Sequence, residues 1–241
     1  MSKIIAIIPA RYNSTRLPGK VLKKIGEKTI LQHVYEKVKE ARYIDEIIIA
    51  TDDNKIIDEA RNFGAQAEMT FSSHKSGTDR CAQVSREFWE DDIIINVQAD
   101  EPFILPDIID LLALKMKDDN WIEIGTLCSI VTDIEESQNP NNIKVVKDIY
   151  NKALYFSRAS IPFYRNTSDS KKYFKHIGIY AYRNKILQTI TAIKESNLEK
   201  AEKLEQLRWV ENGYKIHVFE TGYTGFGIDT IEDLEKARKI V

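Results

Sequence analysis

Cysteine is nearly absent: the 241-residue chain has two, Cys81 and Cys128, far apart and without the spacing of a zinc site or a redox pair. Both are expected as reduced residues of the core. No apolar run approaches the roughly 18 residues of a membrane span. The N-terminal run Ile4 to Ile8 stops at Pro9 and is too short for the core of a signal peptide, which directs the expectation to the cytoplasm. Neither sign of charge dominates. Lys and Arg number 35, Asp and Glu 37, and the net charge is −2. That balance excludes a protein held mainly by nucleic-acid phosphates, but leaves room for a local basic site for a small anion. With 6 prolines and 10 glycines there is no Pro/Gly/Ser linker, and there is no repeat or low-complexity tract. What is present is 43% hydrophobic and 30% charged residues, enough for one sizeable core and a surface to solvate it. At this length the reading is one domain, 1–241, with a small β-rich insertion at about 140–182.

Strand-like and helix-like segments alternate from the start. Ile4 to Ile8, Glu46 to Ala50, Ile93 to Val97 and Ile122 to Val131 read as buried strands. Thr29 caps a helix with Ile30, Val34 and Val38 on one face, Asp53 caps another that Gly64 ends, and Pro106 opens a third through about Met116. This alternation predicts an α/β fold, a largely parallel sheet with helices on both faces, which binds ligands outside the carboxyl ends of its strands. Lys144 to Lys147 and Ala153 to Phe156 read as a hairpin, and Ile177 to Tyr182 as a further strand. A helix is expected around Leu204 to Glu211, a strand at Lys215 to Phe219 and a last helix from Ile231, with Thr230 and Asp233 as a capping box. Arg165 to Lys172 is polar and expected to be a mobile loop.

The segment IPARYNSTRLPGK, Ile8 to Lys20, leaves the first strand with Arg11, Arg16 and Lys20 and almost no acid. Such a loop can offer backbone N–H groups and three cations to a polyphosphate. It is not a Walker A loop, which needs Gly and Ser or Thr where this chain has Ser14 and Val21. Three cations alone favour a solvated basic loop, but the order of residues resembles the signature of the sugar nucleotidyltransferases. Its Ala-Arg start most resembles the cytidylyltransferases that activate acidic sugars. SHKSGTDR (Ser73 to Arg80), NVQADEP (Asn96 to Pro102), NPNNIKVV (Asn139 to Val146), ALYFSRASIPF (Ala153 to Phe163), KHIGIYAYR (Lys175 to Arg183), KLEQLRWVENGYKIHV (Lys203 to Val218) and the closing GIDTIEDLEKAR extend the likeness in order along nearly the whole chain. They resemble the 3-deoxy-manno-octulosonate (Kdo) cytidylyltransferases.

That resemblance implies a Rossmann-like, mixed-sheet fold, usually a homodimer. It implies a reaction that joins Kdo to CMP from CTP and releases pyrophosphate, for lipopolysaccharide synthesis. Nucleotidyl transfer brings two anions together, so positioning and charge neutralisation carry most of the catalysis. The loop's cations Arg11 and Lys20, with Arg16 helping, are the candidates for the triphosphate; the resemblance assigns phosphate contact to the first two, and base contact to Ser76, Gly77, Thr78 and Arg80, with Ala10 and Gln98 nearby. It assigns the metal Mg²⁺ to Asp100 and Asp229, and the sugar to Arg158, His176, Tyr180, Glu205 and Gln206. Arg11, Lys20, Asp100 and Asp229 form the expected catalytic set.

Each position has an ordinary alternative. Asp100 before Glu101-Pro102 could cap the next helix, Asp229 could brace the turn before Thr230, and Thr78 and Asp79 could cap a helix running to Phe88. Taken alone, His176 is more often a structural histidine, Tyr180 a core residue, and Glu205 and Gln206 a solvated helix face. Two departures from the family pattern, Ala99 for a usual Gly and Phe226 for a small residue, bear on the shape of the metal and sugar pocket. Competing functions are the same reaction on 8-amino-Kdo or a nonulosonate, and a catalytically silent nucleotide-binding paralogue. Loss of Lys20, Asp100 or Asp229 would mark the paralogue, and all three are present.

Overall fold

The structure is a computed structural model that describes residues 2–13, 17–166 and 171–240. Strand β1 (Ile4–Ala10) leads through a 3₁₀ turn (Lys20–Leu22) and a small ribbon, β2 (Lys24–Ile25) and β3 (Lys28–Thr29), into α1 (Ile30–Lys39). Then come β4 (Glu46–Thr51), α2 (Asn54–Asn62), β5 (Gln66–Met69), α3 (Gly77–Val84), β6 (Ile93–Asn96), α4 (Pro106–Asp118) and β7 (Ile124–Val131). A short α5 (Ile134–Gln138) precedes β8 (Lys144–Lys147), β9 (Ala153–Ser157) and the long β10 (Tyr173–Arg183). The chain continues through α6 (Asn184–Thr191), α7 (Asn197–Glu202), α8 (Gln206–Glu211), β11 (Ile216–Glu220) and α9 (Ile231–Arg238).

The main sheet has the order β11-β7-β10-β6-β1-β4-β5, with β8 and β9 attached to β10. Strand β1 is parallel to β4 and β6, β4 to β5, and β11 to β7, whereas β10 is antiparallel to both neighbours. Strand β1 shows why the apolar runs are strands. Ile4, Ala6 and Ile8 face one core with Leu31, Val34 and Val38 of α1 and Leu112 and Met116 of α4. Ile5 and Ile7 face the opposite core with Cys81 of α3, Leu187 of α6 and Trp209 of α8. A strand covered by helices on both faces is apolar throughout rather than alternating. Cys81 and Cys128 are free and buried, as the reduced-core reading requires.

Thr29 and Asp53 cap α1 and α2, and Thr230 with Asp233 forms the capping box of α9. The start of α3 corrects the expectation. Ser76 is its N-cap and Asp79 returns the second bond of the box, so Thr78 lies inside the first turn, and the helix ends at Val84 before a 3₁₀ turn (Ser85–Glu87). Strands β8 and β9 form the expected hairpin. Strand β10 starts four residues earlier than its apolar run, at Tyr173, because its first part pairs with β7 and is only partly buried. Residues 167–170 of the polar loop lie outside the described residues. No helix of the described residues is long and apolar enough to cross a membrane.

Candidate active site

The loops after β1, after β6 and before α9 converge at one end of the sheet. Gly19 turns the first loop back. Its φ of 64° is in the left-handed region that favours glycine, and its N–H donates to Tyr12 O at 3.0 Å. The turn delivers Lys20 into a nearly closed position, 8% exposed. Its Nζ donates to Asp100 Oδ2 at 2.6 Å and to Asp229 Oδ1 at 2.9 Å. Ile228 N–H donates to Asp100 O at 2.9 Å and joins the two acidic loops. Burial by itself depresses the Lys20 pKa, but the charges and hydrogen bonds of Asp100 and Asp229 outweigh it and hold the ammonium above its usual 10.5. Asp100 does not cap α4, which starts from Leu105 without a side-chain cap. Asp229 uses its N–H on Asp233 Oδ2, at 3.1 Å, and turns its carboxylate to Lys20.

Two clefts meet at this cluster. The upper, of about 340 Å³, is lined by Arg11 and Lys20 from the first loop, Ser76, Gly77 and Arg80 from α3 and its cap, and Gln98 to Asp100 after β6. Gly77 permits this arrangement, since a Cβ there would meet Pro9 Cγ at 3.0 Å and push α3 off the end of β1. Arg11 is exposed at the rim. Arg80 is buried, with Nη2 on Asp52 Oδ2 at 2.5 Å and Nη1 on Thr70 Oγ1 at 2.7 Å. Gln98 Nε2 donates to Asn96 Oδ1 and to Gly178 O, both at 3.3 Å. Ala10 has its side chain in the core, which leaves only its backbone for a ligand, and Arg16 lies outside the described residues. The Ala99 methyl joins the apolar core beneath the cleft.

The lower cleft, of about 510 Å³, has Asn139, Asn141 and Asn142 on one side with Lys175 and His176, and Thr224, Phe226 and Gly227 on the other. Asp229 lines both clefts. The Phe226 ring rests on Phe103, centroids 5.8 Å apart. His176 Nε2 lies 3.0 Å from Thr126 Oγ1, and burial pushes the imidazole pKa down to about 3, so the ring is neutral at physiological pH. Glu101 also faces this cleft. Burial, reinforced by the Asp100 charge, raises its carboxyl to about 7, and Tyr223 OH donates to it at 3.3 Å.

Of the five residues assigned to the sugar, His176 lines the lower cleft, and the other four are not part of its lining. Arg158 directs its guanidinium to backbone carbonyls, Nε to Glu202 O at 2.6 Å and Nη1 to Pro140 O at 2.9 Å. Glu205 accepts from Thr78 Oγ1 at 2.6 Å and from Arg208 Nη2 at 2.9 Å, and burial raises its carboxyl pKa. Gln206 and Tyr180 are buried. The Thr78–Glu205 bond therefore joins a residue assigned to the base with one assigned to the sugar. The cleft residues His74, Lys75, Asn139, Asn141, Asn142 and Lys175 carried no assignment from sequence, although each lies inside a quoted motif or next to one.

Comparison with known proteins gives these clefts a context. A family model described as cytidylyltransferase matches residues 5–216. A 3-deoxy-manno-octulosonate cytidylyltransferase from Solibacter usitatus is 47% identical and covers 99% of this chain and 94% of its own length. One from Francisella tularensis subsp. tularensis is also 47% identical, over 100% and 99%. A solved structure of CMP:2-keto-3-deoxy-manno-octonic acid synthetase complexed with CTP superposes with a TM-score of 0.94 at 44% identity, covering 99% of this chain and 98% of that one. The 4-diphosphocytidyl-2C-methyl-D-erythritol synthase of Anaerococcus prevotii, at 15% identity and a TM-score of 0.64, shares the fold alone. With a cation-lined cleft at the strand ends and full-length identity of this order, the chain belongs to the cytidylyltransferase family, among the 3-deoxy-manno-octulosonate cytidylyltransferases.

Proposed function

We propose that this chain transfers CMP from CTP to Kdo, with CTP in the upper cleft and the acidic sugar in the lower. The observation that carries the reading is the meeting of the two clefts at Asp229, beside Lys20 and Asp100. A reaction joining two anions needs two binding spaces that open onto one charged point. The anomeric hydroxyl of the sugar attacks the α-phosphorus, the new P–O bond forms as the bond to the bridging oxygen of the β-phosphate breaks, pyrophosphate leaves opposite the attacking oxygen, and the hydroxyl proton passes to solvent. Arg11 and Lys20 neutralise the triphosphate. The backbone about Ala10, the α3 start from Ser76 to Thr78, and Gln98 frame the base, with Arg80 held by Asp52 as their support.

Among the described residues no group of three or more His, Cys, Asp or Glu is placed to cage a metal. A two-carboxylate site still suits Mg²⁺, which takes one or two carboxylates and completes its shell with phosphates and water. Asp100 and Asp229 fit, because one cation, the Lys20 ammonium, already lies within 3 Å of an oxygen of each. When bound there, Mg²⁺ supplies charge neutralisation at the phosphate and a more acidic attacking hydroxyl.

The wider reading is one nucleotidyltransferase domain, 1–241, with the β insertion serving sugar binding and dimer contacts, acting in the cytoplasm for lipopolysaccharide synthesis. Ile149, Tyr150 and Leu154 of the hairpin and Phe163 beyond it are exposed, which supports a homodimer. Lys20, Asp100 and Asp229 on one cluster support an active enzyme over a silent paralogue. The test is pyrophosphate release with each of the four NTPs, with and without Kdo, 8-amino-Kdo and N-acetylneuraminate. Release with CTP and Kdo alone is expected. Release that needs no sugar, or that prefers 8-amino-Kdo or the nonulosonate, would overturn the sugar assignment.

A further inference from the structure

The wall of the lower cleft at 139–142 is gripped from within by a buried lysine. Lys144, at the start of β8, is 1% exposed. Its Nζ donates to Asn139 O at 3.1 Å, Asn142 O at 2.6 Å and Arg158 O at 2.5 Å. An ammonium has three N–H donors, and these three carbonyls take all of them. No carboxylate pairs with it among the described residues. The nearby Glu202 is taken by Ser157 Oγ and by the Arg158 N–H. Burial lowers the Lys144 pKa from its usual 10.5, with Glu202 opposing and Arg158 adding to the shift.

A buried charge without a counter-charge is costly, and an apolar side chain would fill the space more cheaply. What the ammonium adds is direction. It draws the carbonyls of 139 and 142 inward while Asn139, Asn141 and Asn142 line the cleft. Arg158 Nη1 holds the carbonyl between them, Pro140 O. The ladder does not reach this wall: β8 pairs with β9 only from Lys144 onward and meets β10 at the single pair Lys144↔Lys175, with the Ile143 carbonyl accepting from His176 N–H just before it. We propose that Lys144 is a positioning residue for the acidic sugar, setting the 139–142 wall and the Arg158 backbone as one unit without touching the substrate. This rests on the assignment of the lower cleft to the sugar.

Lys144→Met keeps the stem and removes the three donors. For the full-length protein, the melting temperature, the CTP Kd by calorimetry, and KM and kcat for Kdo are measured together. The expected result is a KM for Kdo raised about tenfold or more, with CTP Kd within about twofold and kcat within about threefold. A lower melting temperature with unchanged KM would mean a purely structural lysine and overturn the proposal, as would parallel losses in CTP and sugar binding. Should Lys144→Met fail to fold, Pro140→Gly loosens the same wall while keeping the ammonium and the three carbonyls it holds. A raised KM for Kdo alone then supports the proposal, and an unchanged one overturns it. Gly227→Val tests the reading beneath. A Cβ there meets only Glu101 Cγ, at 4.0 Å, so the side chain fills cleft and not core. A raised KM for Kdo in Gly227→Val with none in Lys144→Met defeats the proposal alone, and no effect in either defeats the sugar assignment as well.

Discussion

Replacing Lys20 should move two properties of the enzyme in opposite directions. The ammonium lies 2.6 Å from an Asp100 oxygen and 2.9 Å from an Asp229 oxygen, so those oxygens are no farther apart than the sum, 5.5 Å. Both carboxylates are thus held around a monovalent cation at the place proposed for a divalent one. Before CTP arrives, a metal ion must compete with a buried, doubly hydrogen-bonded ammonium. A metal ion that displaces one of these two charge-assisted bonds forfeits about 1.5–3 kcal/mol. In Lys20→Met the ammonium is gone from both carboxylates. Nucleotide-free Mn²⁺ binding, read from the free-ion electron paramagnetic resonance signal, should therefore strengthen by about ten- to a hundredfold. Turnover should fall by about a hundredfold or more, because the same cation is the one proposed to neutralise charge building on the leaving pyrophosphate. Asp229→Asn is the control and should weaken Mn²⁺ binding in either background. A Lys20→Met protein that is folded and binds Mn²⁺ no better than the wild type would refute the competition, whatever its turnover.

Asp100→Ala and Asp229→Ala should each lower turnover by about two orders of magnitude or more and leave the fold intact, checked by circular dichroism beside initial rates. Arg11→Ala, at the rim of the upper cleft, should weaken CTP binding and leave the KM for Kdo nearly unchanged; the reverse pattern would move Arg11 out of the nucleotide site. His176 gives a pH dependence. Its folded pKa is about 3 against an ordinary 6.5, so below pH 6.5 the unfolded chain binds a proton that the folded chain refuses. Stability is therefore lost as pH falls from 6.5 toward 3, by up to about 1.4 kcal/mol per pH unit from this group. His176→Phe should flatten that slope in urea titrations between pH 7 and 5, and equal slopes in the two proteins would contradict a ring held neutral.

The parts of the fold that were legible were those with local causes. Thr29, Asp53 and Thr230 cap helices through bonds to residues two or three positions on, a pattern visible in any window of the chain. The runs in β1, β4 and β6 read as strands because both faces are covered. Strand β5, Gln66–Met69, escaped notice because an edge strand that is half exposed has no apolar run to announce it. Helix α7 carried the Ser196 and Glu199 capping box, but its six residues hold too little apolar periodicity to stand out. For the site, motif order placed Lys20, Asp100 and Asp229 at strand ends. Their mutual contacts span 80 and 209 residues, and no local pattern encodes a contact at that range. Arg158 shows the converse. Its charge and its motif pointed to a carboxylate, while packing against the Glu202 and Pro140 carbonyls decided its geometry.

The reversed direction of one strand explains why the two clefts adjoin. In a parallel sheet every strand presents its carboxyl end to the ligand edge. Strand β10 runs the other way, and its register fixes the consequence: Arg183 pairs with Ile93 at the start of β6, and Tyr180 with Asn96 at its end. Everything before Tyr180 therefore extends past the end of β6, beyond the point where Gln98 and Asp100 leave the sheet. The register shift between Ile177 and Tyr180 falls at this boundary, where the Gly178 carbonyl meets Gln98 Nε2. Thr126 Oγ1 donates to the Ile179 carbonyl at 2.7 Å and steadies the irregularity from the β7 side. Lys175 and His176 thus become a wall of the lower cleft simply by being early in an antiparallel strand, and the β8–β9 hairpin attaches there through Lys144. A parallel strand in the same place would deliver its last residues to this edge and its hairpin to the opposite one. The insertion walls a second cleft next to the first because it enters the sheet backwards.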